Sequence, residues 1–235
     1  MDNPFNGRHF RAEIILICTR WYLRYSLSYR DIEEMMTERG LSVDHTTIYR
    51  WTQRYAPEID KRSRPYLKQT NDSWRVDETY VKVKGEWMYL YRALDSTGQT
   101  LDFYFSQRRT RGAAAKFFRK ILTKRPNLTI PRVINVDKHP AYIGATRDMK
   151  KEKLLPEKCR LRQSQYMNNL IEQDHRFMKW QIRPGLGFGS YATACKTIQG
   201  YEVMNMIRKG QMEGIEKGNI KAQNHFIAGL FGLVA

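Results

Sequence analysis

The sequence predicts an α/β domain preceded by a small all-helical head. Three observations carry that prediction. Residues 74–106 alternate in polarity and contain two turn signals. The short run "RVINVD" (132–137) reads as a strand and lies between helical patterns. Residues 1–66 hold helical spacings only, interrupted at Gly40. At 235 residues the chain has room for one large domain and one small appendage.

In the head, "HFRAEIILICTRWYLRY" places Phe10, Ile14, Ile17, Trp21 and Tyr25 at helical spacing. Ser28 with Asp31 resembles a capping box in which Asp stands where Glu or Gln is usual. Ile32, Met35 and Met36 give the next helix its apolar face, and Gly40 ends it. Asp44 can cap a further helix that Ile48, Trp51 and Tyr55 bury and Pro57 closes. Helix, short glycine turn, helix is the helix-turn-helix pattern. His45, Thr46, Tyr49, Arg50 and Gln53 lie off the inner face of the second helix. They offer groups that hydrogen-bond base edges and phosphates. An ordinary helical hairpin with a solvated polar face has the same spacing. Residues 60–73, "DKRSRPYLKQTNDS", have no apolar period and read as linker, with the domain boundary at 66.

The middle of the chain reads as strands at about 74–83, 86–94 and 100–106, with "KG" (84–85) and "STG" (96–98) as turns. A helix follows in "TRGAAAKFFRKILTKR", with Ala114, Phe117, Phe118 and Ile121 facing inward. The strand 132–137 comes next, then a helix within "HPAYIGATRDMKKE". A strand near 155–162 and a helix at 168–182 complete the region. Three strands, helix, strand, helix, strand, helix is the element order of an RNase H-like fold.

The formal net charge of +17 and the pI near 9.9 are the electrostatic signature of a nucleic-acid binder. A ribosomal-type protein and a binder of anionic membranes share it. Between Asp102 and Asp137 stand nine basic residues and no acid, which suggests a polyanion partner. Cys18, Cys159 and Cys195 lie far apart, which argues against a thiolate zinc site or a disulfide framework and points to a reducing cytoplasm. "IILIC" is too short and too charged at its flanks for a signal peptide. The apolar "FIAGLFGLVA" is half the length of a membrane span, so no membrane partner is expected and the segment reads as a docking tail or a frayed end.

Three acids stand out. Asp77 sits mid-strand, Asp137 ends a buried strand, where α/β sheets place ligand sites, and Glu172 lies in the late helix. Converging carboxylates repel and need a cation or a shared proton. Hard oxygen ligands select Mg²⁺ or Mn²⁺, and two such ions suit phosphodiester displacement. Other readings stand beside this one. Glu78 points opposite to Asp77, so one of the two joins the site and strand phase does not decide which. Asp137 can instead cap the next helix. Asp174 lies about 200° around the helix from Glu172 and serves in another register.

"VDHTTIYRW", "VDETYVKVKGEWMYLYRALDS", "INVDKHPAY" and "NNLIEQDHRFMK" resemble the transposases of bacterial insertion sequences, specifically the insertion-sequence-six family. The likeness runs from about Asn3 to Lys209 and fades after "RKGQ". It implies a helix-turn-helix domain (1–66) for an element's terminal inverted repeats, a linker (67–73), an RNase H-like domain (74–210) and a C-terminal segment (211–235) of open role. It also implies an Asp-Asp-Glu triad at Asp77, Asp137 and Glu172 and a DNA-end contact at Lys179, seven residues on. The expected partners are double-stranded DNA, as repeats and as target, and a second copy or more of the chain. The expected product is a cointegrate, formed in the bacterial cytoplasm at the nucleoid.

Overall fold

Alternating side chains and two tight turns suffice to make a meander, and the computed structural model contains it. The structure describes residues 4–164, 169–185 and 187–233. Strands β1 (Ser73–Val83), β2 (Glu86–Asp95) and β3 (Thr100–Ser106) pair antiparallel in sequence order. Lys84 and Gly85 turn the first hairpin with φ of 50° and 85°, the left-handed backbone that a two-residue hairpin requires. Strand β4 (Val133–Val136) pairs parallel with β1, and β5 (Arg160–Gln163) pairs parallel with β4. The strand order is β3-β2-β1-β4-β5. This is the mixed α/β architecture expected, with the last strand starting later than predicted.

Helices α4 (Arg111–Lys124) and α5 (Pro140–Lys151) pack on one sheet face. Phe117, Phe118, Ile121, Tyr142 and Met149 bury against Trp74, Val76, Tyr91, Ala93 and Ile134. Full burial of one such side chain contributes roughly 1.5–3 kcal/mol, so this layer dominates the cohesion of the unit. Helix α6 runs Asn169–Ile182; the predicted first residue, Asn168, lies outside the described residues.

The chain forms two compact units. Leu67–Phe177 carries the sheet, and Met1–Tyr66 joins Met178–Ala235 in the other, so the division falls inside α6. This differs from the expected layout, which assigns 178–210 to the sheet domain. The reason is packing. Helices α1 (Ala12–Arg24), α2 (Tyr29–Thr37) and α3 (His45–Ser63) need a further apolar partner, and α7 (Tyr191–Arg208) supplies it. Gly200 in α7 makes the approach possible: a Cβ there would sit 2.5 Å from Leu23 and 2.7 Å from Ala56. Helix α8 (Ile220–Gly229) belongs to the same unit, and Phe231 beyond it meets Phe5 at 5.4 Å. The C-terminal segment docks on its own helical head; its last residues, Val234 and Ala235, lie outside the described residues. Among the described residues no helix is long and apolar enough to cross a membrane.

Two local expectations need correction. The capping box forms in full, with Ser28 accepting from the Asp31 amide and Asp31 accepting in return. Pro57, however, does not end its helix, which continues to Ser63. A proline here forfeits one helical hydrogen bond, but the turn beyond it buries Ile59 and Ser63 and so holds. Residues 60–63 are therefore the last turn of α3 and not linker. Asp60, buried within it, pairs with Arg64 at 3.2 Å.

Candidate active site

The site forms where β1 and β4 separate. Their parallel register aligns Ser73 with Val133 and Arg75 with Asn135. Carried two residues further, it brings Asp137 level with Asp77. Asn135 helps to hold this junction by donating to the Trp74 carbonyl at 2.9 Å. Oxygen atoms of Asp77, Glu78 and Asp137 all lie within 4.8 Å of one another.

Glu78 is the surprise. Alternation turns it toward α4 and α5 and away from Asp77, and yet its carboxylate belongs to the cluster. It is 8% exposed, accepts from the Tyr142 hydroxyl and pairs with Arg109. The same guanidinium reaches Asp137 at 2.7 Å. Either-or selection between Asp77 and Glu78 is therefore wrong for this chain, because the strand ends let one arginine gather acids from both faces. Asp137 does not cap α5. His139 does so, accepting from the Ala141 amide, while Asp137 accepts from the His139 amide at 2.9 Å.

On the other face of β1, His175 of α6 approaches Asp77 to 3.9 Å. Asp174 is not in the cluster. It pairs with Arg92, which is fully buried and is the cross-strand partner of Asp77. Glu172, one turn back in α6, is exposed, and its charge is felt at Asp77. Burial foremost, and then the charges of Glu78, Asp137 and Glu172, push the Asp77 carboxyl up to about 7. Burial likewise raises Glu78, and it lifts the Tyr142 phenol well above its usual range. All-oxygen donors under mutual repulsion suit a hard divalent cation.

If a cation is held by Asp77, that carboxylate must be ionised, and binding would release a proton wherever Asp77 starts protonated. Affinity for Mn²⁺ is thus expected to rise with pH and to level off above about 7. Calorimetry in buffers of different ionisation heat should find roughly one proton released per site at pH 6 and almost none at pH 8.5. Asp77→Asn should remove that dependence.

The residues expected to face DNA are distributed unevenly. His45 is held by Glu33 at 2.9 Å, fastening α2 to α3. Thr46 bonds the capping Asp44, and Gln53 donates to Thr197 of α7 at 2.7 Å. Tyr49 meets the edge of Tyr29 and remains partly exposed, while Arg50 and Lys179 are exposed. The basic run also differs from a bare cationic surface. Arg109, Arg111, Arg119, Lys120 and Arg132 are all engaged in ion pairs within the sheet unit. Arg109 and Arg92 are not singled out in the sequence, and Tyr142, one of 14 tyrosines, is not specific enough to be read as more than a neighbour of the acids, since each reaches its carboxylate only across the fold.

A family profile described as a DDE domain matches residues 71–211. The transposase for insertion sequence-like element IS431mec of Staphylococcus aureus is 37% identical over 215 residues, which is 91% of this chain and 92% of the relative. The transposase for insertion sequence element IS257 in transposon Tn4003, also from Staphylococcus aureus, matches to the same extent. Among solved structures, the HTLV-2 integrase catalytic core domain in complex with magnesium matches at a TM-score of 0.44 with 14% identity, over 67% of this chain and 97% of that one. With the profile covering the whole sheet and the sequence likeness covering both units, the chain belongs to the DDE-domain transposases of bacterial insertion sequences, in the insertion-sequence-six family.

Proposed function

We propose that the helical head binds the terminal inverted repeats of an insertion sequence, and that Asp77, Asp137 and Glu172 carry metal-dependent strand transfer. The observation behind the chemistry is the gathering of Asp77, Glu78 and Asp137 within 4.8 Å, with Asp77 raised to about 7. Carboxylates so placed call for a counter-cation. Mg²⁺ fits the donors, Mn²⁺ substitutes, and two ions would be held by the triad. Bound there, they would activate the attacking oxygen and stabilise the leaving one.

The protein's own groups prepare the site. Arg109 offsets the charge of Glu78 and Asp137, and Tyr142 keeps Glu78 in place. At each element end water attacks one phosphodiester, the bond from phosphorus to the 3′ oxygen breaks, and a 3′-OH and a 5′-phosphate are left. That hydroxyl forms a new phosphodiester with target DNA while the target's own bond to its 3′ oxygen breaks. The product is a cointegrate. A homodimer or larger assembly holds the two ends, in the cytoplasm at the nucleoid. Lys179, two helical turns beyond Glu172 in α6, contacts the DNA end.

The test is cleavage and joining in vitro with a labelled terminal-repeat duplex, supercoiled target, and Mg²⁺ or EDTA. Metal-dependent joined product, lost in Glu172→Gln, supports the reading. Cleavage without joining indicates a hydrolytic nuclease, and binding without chemistry indicates a regulator. In the head, Arg50→Ala should weaken repeat binding by about 1–3 kcal/mol, measured by titration at fixed salt. A change within twofold would remove Arg50 from the interface.

A further inference from the structure

One part of the sheet is unaccounted for by the triad. The register pairs Tyr80 with Tyr89 and Lys82 with Trp87. Alternation therefore puts Trp74, Val76, Glu78, Tyr80 and Lys82 on one face, beside Trp87, Tyr89, Tyr91 and Ala93. The first half of this face is the buried core under α4 and α5. The half beyond Glu78 is open. Tyr80 is 49% exposed and Trp87 61% exposed. Tyr80 lies 5.4 Å from the Tyr89 ring and 6.4 Å from the Trp87 ring. The Lys82 ammonium sits 5.9 Å from the Trp87 ring, and exposed Lys84 stands at the hairpin tip. Glu86, the nearby acid, pairs with Val83 and belongs to the other face.

Adjacent large aromatics left in water mark a contact surface. Rings interleaved with lysines suit one occupant: nucleotides whose bases present a free π-face, with the lysines meeting phosphates. Paired bases inside a duplex have no such face to offer, because their neighbours cover it. The position is informative as well. Tyr80 is two residues from Glu78, a rise of roughly 7 Å along the strand, which is about one nucleotide of extended single strand.

We propose that the β1–β2 hairpin is a stacking platform for unpaired nucleotides next to the strand being cut, with Tyr80 and Trp87 taking bases and Lys82 and Lys84 taking phosphates. This rests on the strand-transfer reading and adds to it that the DNA end is frayed where it meets the site.

The test compares two oligonucleotides carrying the terminal repeat, one blunt and one with an unpaired end of three nucleotides. The full chain is used with Glu172→Gln to block chemistry. Trp87→Ala and Tyr80→Ala should each lower affinity for the frayed oligonucleotide about 10-fold and leave the blunt one within twofold. Trp87→Phe should restore most of the loss. 2-Aminopurine in the unpaired end should be quenched by the protein and recover in Trp87→Ala. Equal losses on both oligonucleotides, no loss on either, or a change of oligomeric state in Trp87→Ala would overturn the platform and leave the triad reading intact. Failure of the unsubstituted head to bind either DNA would overturn both.

Discussion

Asp77→Asn should abolish strand cleavage and joining while making the metal-free protein more stable. The two effects have one cause. At pH 8 an ionised Asp77 is held against burial and against the charges of Glu78, Asp137 and Glu172. A neutral amide of the same shape relieves that repulsion, so the melting temperature without metal should rise. On the proposed assignment the same substitution also removes a metal ligand, and a metal held there would stabilise the transition state by several kcal/mol. That corresponds to a rate loss of about 10³-fold or more. Binding of the terminal repeat should be unchanged within twofold, since the head is separate from this cluster. Retained cleavage would show that the triad is misassigned. A lowered melting temperature would mean that Asp77 serves the fold more than the chemistry.

Arg92→Met should be among the most damaging single changes in the sheet unit. Arg92 is fully buried at the centre of β2 and pairs with Asp174 of α6, itself nearly buried. Removing the cation leaves an uncompensated carboxylate inside the protein, at a cost of about 3–5 kcal/mol. In a chain of this length the melting temperature should fall by roughly 10 °C. The pair also fixes α6 against the sheet and thereby presents Glu172, so activity should fall beyond what unfolding explains. Adding Asp174→Leu removes the stranded charge and should restore much of the stability. If activity returns with it, the ion pair has no part in positioning Glu172.

Some of this was readable from sequence, and the physics says why. The meander was legible because alternation and turn residues are local signals with a fixed period. The place of Asp137 was legible because a short apolar run ending in an acid marks the end of a buried strand, and the structure sets it beside Asp77. Glu78 was not, since its role depends on where β4 ends relative to β1 and on an arginine thirty residues further on. Asp174 looked equivalent to Glu172 until buried Arg92 distinguished them. The head was half legible. Its caps and glycine turn are local, but its fourth helix is remote. Buried residues cover nearly every position of α7 from Thr197 to Ile207, so no amphipathic stripe revealed which neighbour it serves.

That remote helix has a consequence for the order in which the molecule is made. Helix α3 ends at Ser63, and its partner α7 begins only at Tyr191. At roughly 5–20 residues per second, the ribosome spends on the order of ten seconds between them. The strands from Ser73 to Gln163 emerge in that interval and can pair. The sheet can therefore form first, while α1 and α3 wait with Leu23 and Ala56 uncovered until Gly200 arrives. A nascent chain can thus complete its sheet before its helical unit, and a message cut short near codon 190 would yield the sheet together with a head that lacks its closing helix.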